Sequence, residues 1–432
     1  MNHRSISLVL GSLVLGSLGT LLVGCSDGDG PAQPSSPDVT GTTYFQAAKP
    51  ILDGRCASCH VDGGIAPFAL DTYASAKQFR DSIKSAVEDR TMPPWLATDG
   101  CADYVADRSL TDEQIATIGA WVDEGAREGD PAAEAAPLDA VTATGLTRVD
   151  RVLEMPVDYV AQTEPDDYRC FVIDWPETES KYVTGFRANP GTPEVVHHVI
   201  AFLIAPSQVA DIESLDAAEE GPGYTCYGGP GTNQARWIGS WAPGNPGYDF
   251  VPGTGIEIVP GAKVVLQIHY NTLTAGALPD RTSVAMKIDD SVERKAWIQP
   301  WTNPQWLDGG EMVIPAGSEG TTHEFGFDPT PFLSNDKPLR LYSAALHMHV
   351  LGKTARTEIV RADGERECLL DIDRWDFHWQ GAYGFAESKL LNPGDELHLE
   401  CSWDNPTNKD VDWGEGTTDE MCLGAYYVSV EE

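Results

Sequence analysis

The chain has 432 residues, with 29 basic and 66 acidic side chains and a net charge of −37. That length is more than one hydrophobic core serves, so about two to four domains are expected. The charge excludes nucleic acid, whose phosphates would be repelled, and fits a solvated surface that could also draw a basic redox protein.

At the N-terminus a short polar start with Arg4 precedes an apolar run from Ile6 to Val23. The run ends in Leu22-Val23-Gly24-Cys25, which resembles the lipobox of bacterial lipoproteins; the alternative is an ordinary signal peptide or a transmembrane anchor. The lipobox reading predicts a signal peptide over 1–24, acylated Cys25 as the mature N-terminus and a flexible Ser/Asp/Gly/Pro tether over 25–42. It implies a bacterial cell-envelope lipoprotein, facing the periplasm or the outer surface and held to the membrane by its lipid. Outside the cytoplasm disulfides are allowed. Of the nine cysteines, lipid takes Cys25 and two more lie in the motif below. That leaves Cys101, Cys170, Cys226, Cys368, Cys401 and Cys422, an even set compatible with three disulfides.

Residues 43–128 read as helical. Tyr44–Leu52 leads into Cys56-Ala-Ser-Cys59-His60, Thr72–Asp89 is amphipathic, and Thr111-Asp-Glu-Gln114 is a capping box opening a helix with Ile115, Ile118, Trp121 and Val122 on its apolar stripe. In Cys-x-x-Cys-His the two thiols add across haem vinyl groups and the adjacent His takes one axial position of the iron. A zinc or redox Cys-x-x-Cys would not need the His. His60 is the only His between residues 43 and 128, and Met92, before two prolines on a stiff loop, is the only Met. Met92 is therefore the expected second axial ligand. The segment resembles small class I cytochromes c, which implies an all-α cytochrome c domain over 43–128 carrying one covalently bound haem c as an electron carrier. A linker follows over 129–149.

From about residue 150 Gly and Pro punctuate short segments rich in Val, Ile, Tyr, Phe and Trp, such as Tyr168–Asp174, Glu194–Ile204, Lys263–Asn271, Arg340–His347, Ala355–Val360 and Leu423–Val430. These read as strands of two β-sandwiches, over 150–290 and 291–432. His347 and His349 share a strand face and can grip one metal, with Met421 completing a soft set suited to Cu(I) and Met348 pointing into the core. His197 and His198 are adjacent. Both reach one metal only at a strand end, at a bulge, or through different ring nitrogens. His269 would be the third ligand, with Gln267 on its face, and three imidazoles suit copper and zinc about equally. His323, His378 and His398 read as surface or hydrogen-bonded strand residues. Trp375-Asp-Phe-His-Trp-Gln380 reads as a packed aromatic strand rather than a pocket wall.

In order the motifs are His197-His198, Gln267-Ile-His269-Tyr270, His347-Met-His349-Val-Leu-Gly-Lys353 and Glu420-Met421-Cys422. That series resembles the copper type II, ascorbate-dependent monooxygenases, the family of peptidylglycine alpha-hydroxylating monooxygenase and dopamine beta-monooxygenase. The resemblance covers roughly 150–432. It implies two jelly-roll domains carrying two copper ions. The copper on His197, His198 and His269 stores and passes an electron, and the catalytic one on His347, His349 and Met421 binds O2 and substrate. It also implies the disulfides Cys170–Cys226 and Cys401–Cys422, which leaves Cys101 and Cys368 as a third pair, clipping the haem-bearing segment to the copper-bearing one. Where the peptide-amidating members carry an Arg that clamps a substrate carboxylate this chain has Ala345, and where they carry Asn and Tyr it has Leu423 and Ala425. A small apolar or amine-bearing substrate is expected rather than a glycine-extended peptide. Electrons would come from an external redox protein or an ascorbate-like reductant through the fused haem. The rival reading is a non-catalytic copper-binding or electron-transfer lipoprotein. A copper nitrite reductase needs a Cys thiolate beside its His ligands, which no Cys here provides.

Overall fold

The computed structural model describes residues 41–62, 66–136, 138, 145–232, 234–243 and 245–432. The expected signal peptide, Cys25 and the tether up to residue 40 lie outside them, as does part of the 129–149 linker. Residues 41–432 form one compact unit. Among the described residues no helix is long and apolar enough to cross a membrane.

The helices are few and short. A π-helical turn, Tyr44–Ala48, runs into Lys49–Arg55, and Tyr73–Gln78, Arg80–Glu88 and Asp112–Asp123 follow. The capping box at Thr111 forms: its hydroxyl accepts from the Gln114 backbone N–H at 3.2 Å, and the Gln114 side chain accepts from the Thr111 N–H at 3.0 Å. Tyr44, Leu52, Ile118 and Trp121 bury the shared face.

These helices do not make the expected all-α cytochrome c domain; the fold is mostly β, and the helical segment is part of its one compact unit. The physical reason lies between the third and fourth helices. Pro93 and Pro94 forbid a helix there. The chain instead runs extended, and its backbone finds partners on the β structure: Thr98 N–H donates to the Asp371 carbonyl, Val105 N–H to Gly384 and Ala386 N–H to Asp103, each at 2.8 Å. Tyr104 pairs with Phe385 in an antiparallel bridge. Leu96 and Ala97 are buried in the core of the C-terminal half, and Cys101 is bonded to Cys368. Residues 91–110 are thus a strap across the edges of two sheets.

Nor are the two β halves separate sandwiches. Among the described residues fourteen strands join in one hydrogen-bonded network. The strand Arg294–Trp301 makes the connection, because both of its edges are used: it pairs with Thr254–Ile258 and Arg236–Trp241 on one side and with Leu423–Val430 on the other. A four-stranded sheet, Ser318–Phe327, Glu396–Asn405, Gly352–Val360 and Arg366–Ile372 in that order, packs in the C-terminal half. The N-terminal half centres on Phe171, Phe186, Val264 and Tyr270, the C-terminal half on Leu341, Met348, Leu399 and Trp403.

Candidate functional site

His269 lies on Lys263–Asn271, between two antiparallel neighbours. In register, His198 on Val196–Ile204 stands opposite it on one side and Tyr168 on Asp166–Asp174 on the other. One residue further along, Tyr270 faces Val196, so His197 is the extra residue of a bulge. That bulge is what lets two consecutive histidines serve one site, since an ideal strand would send them to opposite faces. The ligand nitrogens of His197, His198 and His269 lie within 4.8 Å of one another.

Each ring is held in a defined way. His269 donates from Nε2 to Asp166 Oδ1 at 2.9 Å and stacks on Tyr168, with ring centroids 4.0 Å apart. Its Nδ1 is thereby the free lone pair, and it sits 3.4 Å from Nδ1 of His198. Asp166 also accepts from the Asn271 side chain at 3.0 Å and the Thr417 hydroxyl at 2.8 Å. Burial works against the Asp166 carboxylate, but the bonds from His269 and Thr417 outweigh it and hold the acid down at about 2. His197 stacks on Phe377 at 4.6 Å, and its Nδ1 is buried without a hydrogen-bond partner.

The second set comes from the end of the strand Leu339–His347. His347 donates from Nδ1 to the Gln380 side-chain oxygen, and His349 donates from Nδ1 to the Asp419 carbonyl at 3.0 Å. Both rings therefore present Nε2, and their centroids are 5.1 Å apart. Met348 between them is buried in the core. Met421 is buried just ahead of the strand Leu423–Val430, in which Leu423 faces His347. Its neighbour Glu420, fully buried, accepts from the backbone N–H of His349 at 2.9 Å and of Leu351 at 2.6 Å, and from the Trp403 indole at 2.9 Å. Burial pushes the Glu420 carboxyl up to about 7 against those donors.

The two sets face each other: the His198 and His347 rings are 6.5 Å apart, centroid to centroid. Burial, with His269 and His347 adding to it, takes His197 down to about 3, and His198 falls well below the ordinary imidazole range for the same reason. Burial also lowers His269, against the pull of Asp166. It takes His347 down to about 3, helped by His349, and His349 to about 4. All five are neutral at pH 7, with lone pairs free for a metal. The close pair of Nδ1 atoms and the orphaned Nδ1 of His197 fit a cation bound between them.

Several contributors carry no spacing signal. Asp166, Phe377 and Gln380 reach the rings, and Thr417 reaches Asp166, only through tertiary structure. The segment Trp375–Gln380 is a loop at the site, not the expected packed aromatic strand: the Trp375 indole donates to the His349 carbonyl at 3.0 Å, and Phe377 lies 6.1 Å from the His349 ring. Gln267 serves the scaffold instead of the rings, donating to the Cys226 carbonyl at 2.7 Å. The disulfides Cys170–Cys226, Cys401–Cys422 and Cys101–Cys368 are all present. His323 donates to the Val313 carbonyl and His378 bonds Asp376 at the surface, while His398 is buried beside Glu324.

Next to Gln380, whose side chain bonds His347, opens a cavity of about 280 Å³. Ala345, Ala425, Gln380 and Tyr383 line it from the C-terminal half, and Trp95 and Arg108 from the strap.

The haem-motif residues lie apart from these rings, on the helical segment. Cys56 and Cys59 are free thiols, with burial, and less so Cys59, pushing Cys56 up to about 12. His60 donates from Nδ1 to the Phe68 carbonyl at 2.9 Å, leaving Nε2 open. Met92 lines a cavity of about 320 Å³ with Leu96 and Arg374; Cys56, Cys59 and His60 do not line it.

Residues 311–431 match the C-terminal domain of the copper type II ascorbate-dependent monooxygenases. The match contains His347, His349 and Met421. Across a longer stretch the chain is similar to human "DBH-like monooxygenase protein 1", 23% identical over 74% of this chain and 55% of that protein. The chicken protein of the same name is 26% identical over 43% of this chain and 32% of its own length. "Peptidyl-glycine alpha-amidating monooxygenase A" of Xenopus laevis is 22% identical over 63% and 27%. The chain spans about half or less of the length of these relatives. Among solved structures, the major capsid protein P2 of bacteriophage PM2 overlays 65% of this chain and 98% of its own at a TM-score of 0.27 and 11% identity, which carries no argument.

Proposed function

We propose that the protein is a copper-dependent monooxygenase that hydroxylates a C–H bond of a small organic substrate with O2. The observation that supports this best is the pairing of two differently built imidazole sets across one gap. One set offers three neutral rings, His269 buried and His197 and His198 half-buried, and the other offers two Nε2 atoms beside Met421. His197, His198 and His269 would hold the copper that passes electrons; His347, His349 and Met421 would hold the catalytic one. Copper supplies one-electron redox chemistry and a soft site for O2. The overall reaction takes substrate, O2, two electrons and two protons to alcohol and water.

The chain's own residues supply the order this needs. Asp166 and Gln380 fix the tautomers of His269 and His347, so that each ring turns a lone pair inward. Phe377 stacks on His197, and the Trp375 indole donates to the His349 carbonyl. Glu420 holds the backbone of His349 and Leu351 beside Met421.

Haem c is the finer part of the proposal, attached through Cys56 and Cys59 with His60 as an axial ligand. Two free thiols and a histidine whose Nδ1 is already committed fit that group. For Met92 to be the second ligand, the loop that bears it must turn toward His60. The haem would relay electrons from an external redox protein or an ascorbate-like reductant. Export and acylation of Cys25 complete the proposal.

The test is O2 uptake by the protein loaded with two coppers and reduced with ascorbate, against a substrate panel with mass detection of a hydroxylated product. Substrate-dependent uptake with one oxygen atom in the product is expected. Copper binding without it would leave the copper-binding electron-transfer lipoprotein, and a stoichiometric zinc or a single copper would overturn both. A pyridine haemochrome spectrum of the denatured protein tests the covalent haem.

A further inference from the structure

The cavity next to Gln380 is mostly aromatic and small-residue surface, with one exception. Its only lining cation among the described residues is Arg108, on the strap. Its only lining acid is Asp249, which is committed elsewhere: it accepts from Lys287 at 2.6 Å and from the Thr147 N–H at 3.2 Å. The Arg108 guanidinium lies over Trp95, 5.8 Å from the ring centroid. Its Nε is buried without a hydrogen-bond partner. In a chain where 66 acids outnumber 29 bases, counter-charges are plentiful, yet among the described residues none forms an ion pair with Arg108. Arg108 as a whole is half-buried, but a donor such as its Nε, buried without an acceptor, is costly unless something else supplies one.

The position is suited to a ligand. Trp95 meets Tyr383 edge-on at 4.8 Å. Ala345, which also lines the cavity, shares a strand face with His347 two residues on, and Gln380, another lining residue, bonds the His347 ring. A molecule with its charged end at Arg108 and its body along Trp95 and Ala345 therefore reaches the His347 end of the site. The strap is held there by Cys101–Cys368 and by the Leu96 N–H, which donates to the Tyr383 hydroxyl at 3.1 Å.

We propose that Arg108 is a specificity-determining residue, and that the cavity takes substrates carrying one carboxylate on an apolar or aromatic body. The helical segment thus contributes a wall of the substrate site. This rests on the monooxygenase reading and narrows its substrate class. It also revises the expectation of an apolar or amine-bearing substrate, which considered only Ala345, Leu423 and Ala425. The guanidinium arrives from a different part of the chain, a match in chemistry that no local motif reveals. Arg suits the task because its planar fork bonds a carboxylate through two parallel N–H donors.

The experiment is calorimetric titration of the copper-loaded full chain with phenylbutyrate, phenylbutanol and phenylbutylamine, without reductant. A charge-assisted bond in a desolvated site predicts that the acid binds about tenfold or more tighter than the alcohol, and the amine weakest. Arg108→Gln should erase the preference for the acid, and Arg108→Lys should keep part of it. Equal binding of acid and alcohol by the wild type, tighter binding of the amine, no binding of any probe, or an unchanged preference in Arg108→Gln would each overturn the proposal. If Arg108→Gln does not fold, the wild-type ranking and Arg108→Lys decide. Because nothing turns over in this titration, its failure is distinct from failure of the O2-uptake test.

Discussion

Replacing Asp166 by Asn should weaken copper at the three-histidine set and leave the other set filled. The carboxylate, 13% exposed, takes hydrogen bonds from His269 Nε2, the Asn271 amide and the Thr417 hydroxyl. Its acid is held at about 2 instead of the ordinary 3.8, so the folded state favours the ionised form. A depressed pKa contributes stability that is present above the unfolded value and lost as pH falls through the folded one. The window is therefore pH 4 down to 2. A shift of that size corresponds to about 2 kcal/mol. Asn keeps one acceptor but loses the charge and turns its amide toward a donor. Urea unfolding at pH 7 should show a loss of about 2 kcal/mol, and the variant's stability should vary less than the wild type's between pH 4 and 2. With the His269 tautomer no longer imposed, copper affinity there should drop about 10- to 100-fold, read by chelator competition. The stack on Tyr168, worth about 1 kcal/mol, does not choose a tautomer and cannot compensate. Copper affinity within about twofold of wild type, or equal weakening at both sets, would refute the reasoning.

Other substitutions separate the parts. Met421→Ala should abolish hydroxylation while one copper remains bound, whereas His269→Ala should empty the three-histidine set and block electron delivery; copper counting by metal analysis with single-turnover O2 uptake distinguishes them. Glu420→Ala strands three buried donors at His349, Leu351 and Trp403, so a loss of about 4 kcal/mol or more is expected in urea unfolding, together with loss of the His347/His349 copper. Met92→Ala should remove the sulfur-to-iron band of the oxidised spectrum; an unchanged band means Met92 is not a haem ligand.

The donors themselves were legible along the chain. His197-His198 next to each other, His347-x-His349 two apart and the Glu420-Met421-Cys422 run are local patterns. Which helices formed was also readable where a cap was written out, as at Thr111 and Gln114. Phe377 and Gln380 were misread because an aromatic-rich run looks alike in a strand and in a loop packed against rings. Gln267 does share a face with His269, but that says nothing of which partner lies within reach, and its amide bonds the Cys226 carbonyl instead.

The sequence by itself determined which atoms could bind a soft redox metal, which cysteines remained to pair, and that the chain is strongly acidic. Those properties belong to side-chain chemistry and to spacings of a few residues. Only the tertiary structure decided that a bulge brings His197 to the same site as His198, that Asp166 orients His269, and that His198 and His347 stand ring to ring. It also decided that the helical segment does not stand alone. Its prolines release an extended strap whose backbone must find partners, and the open edges of two distant β-sheets supply them. Register and edge pairing join residues far apart in the chain, and no local pattern records them.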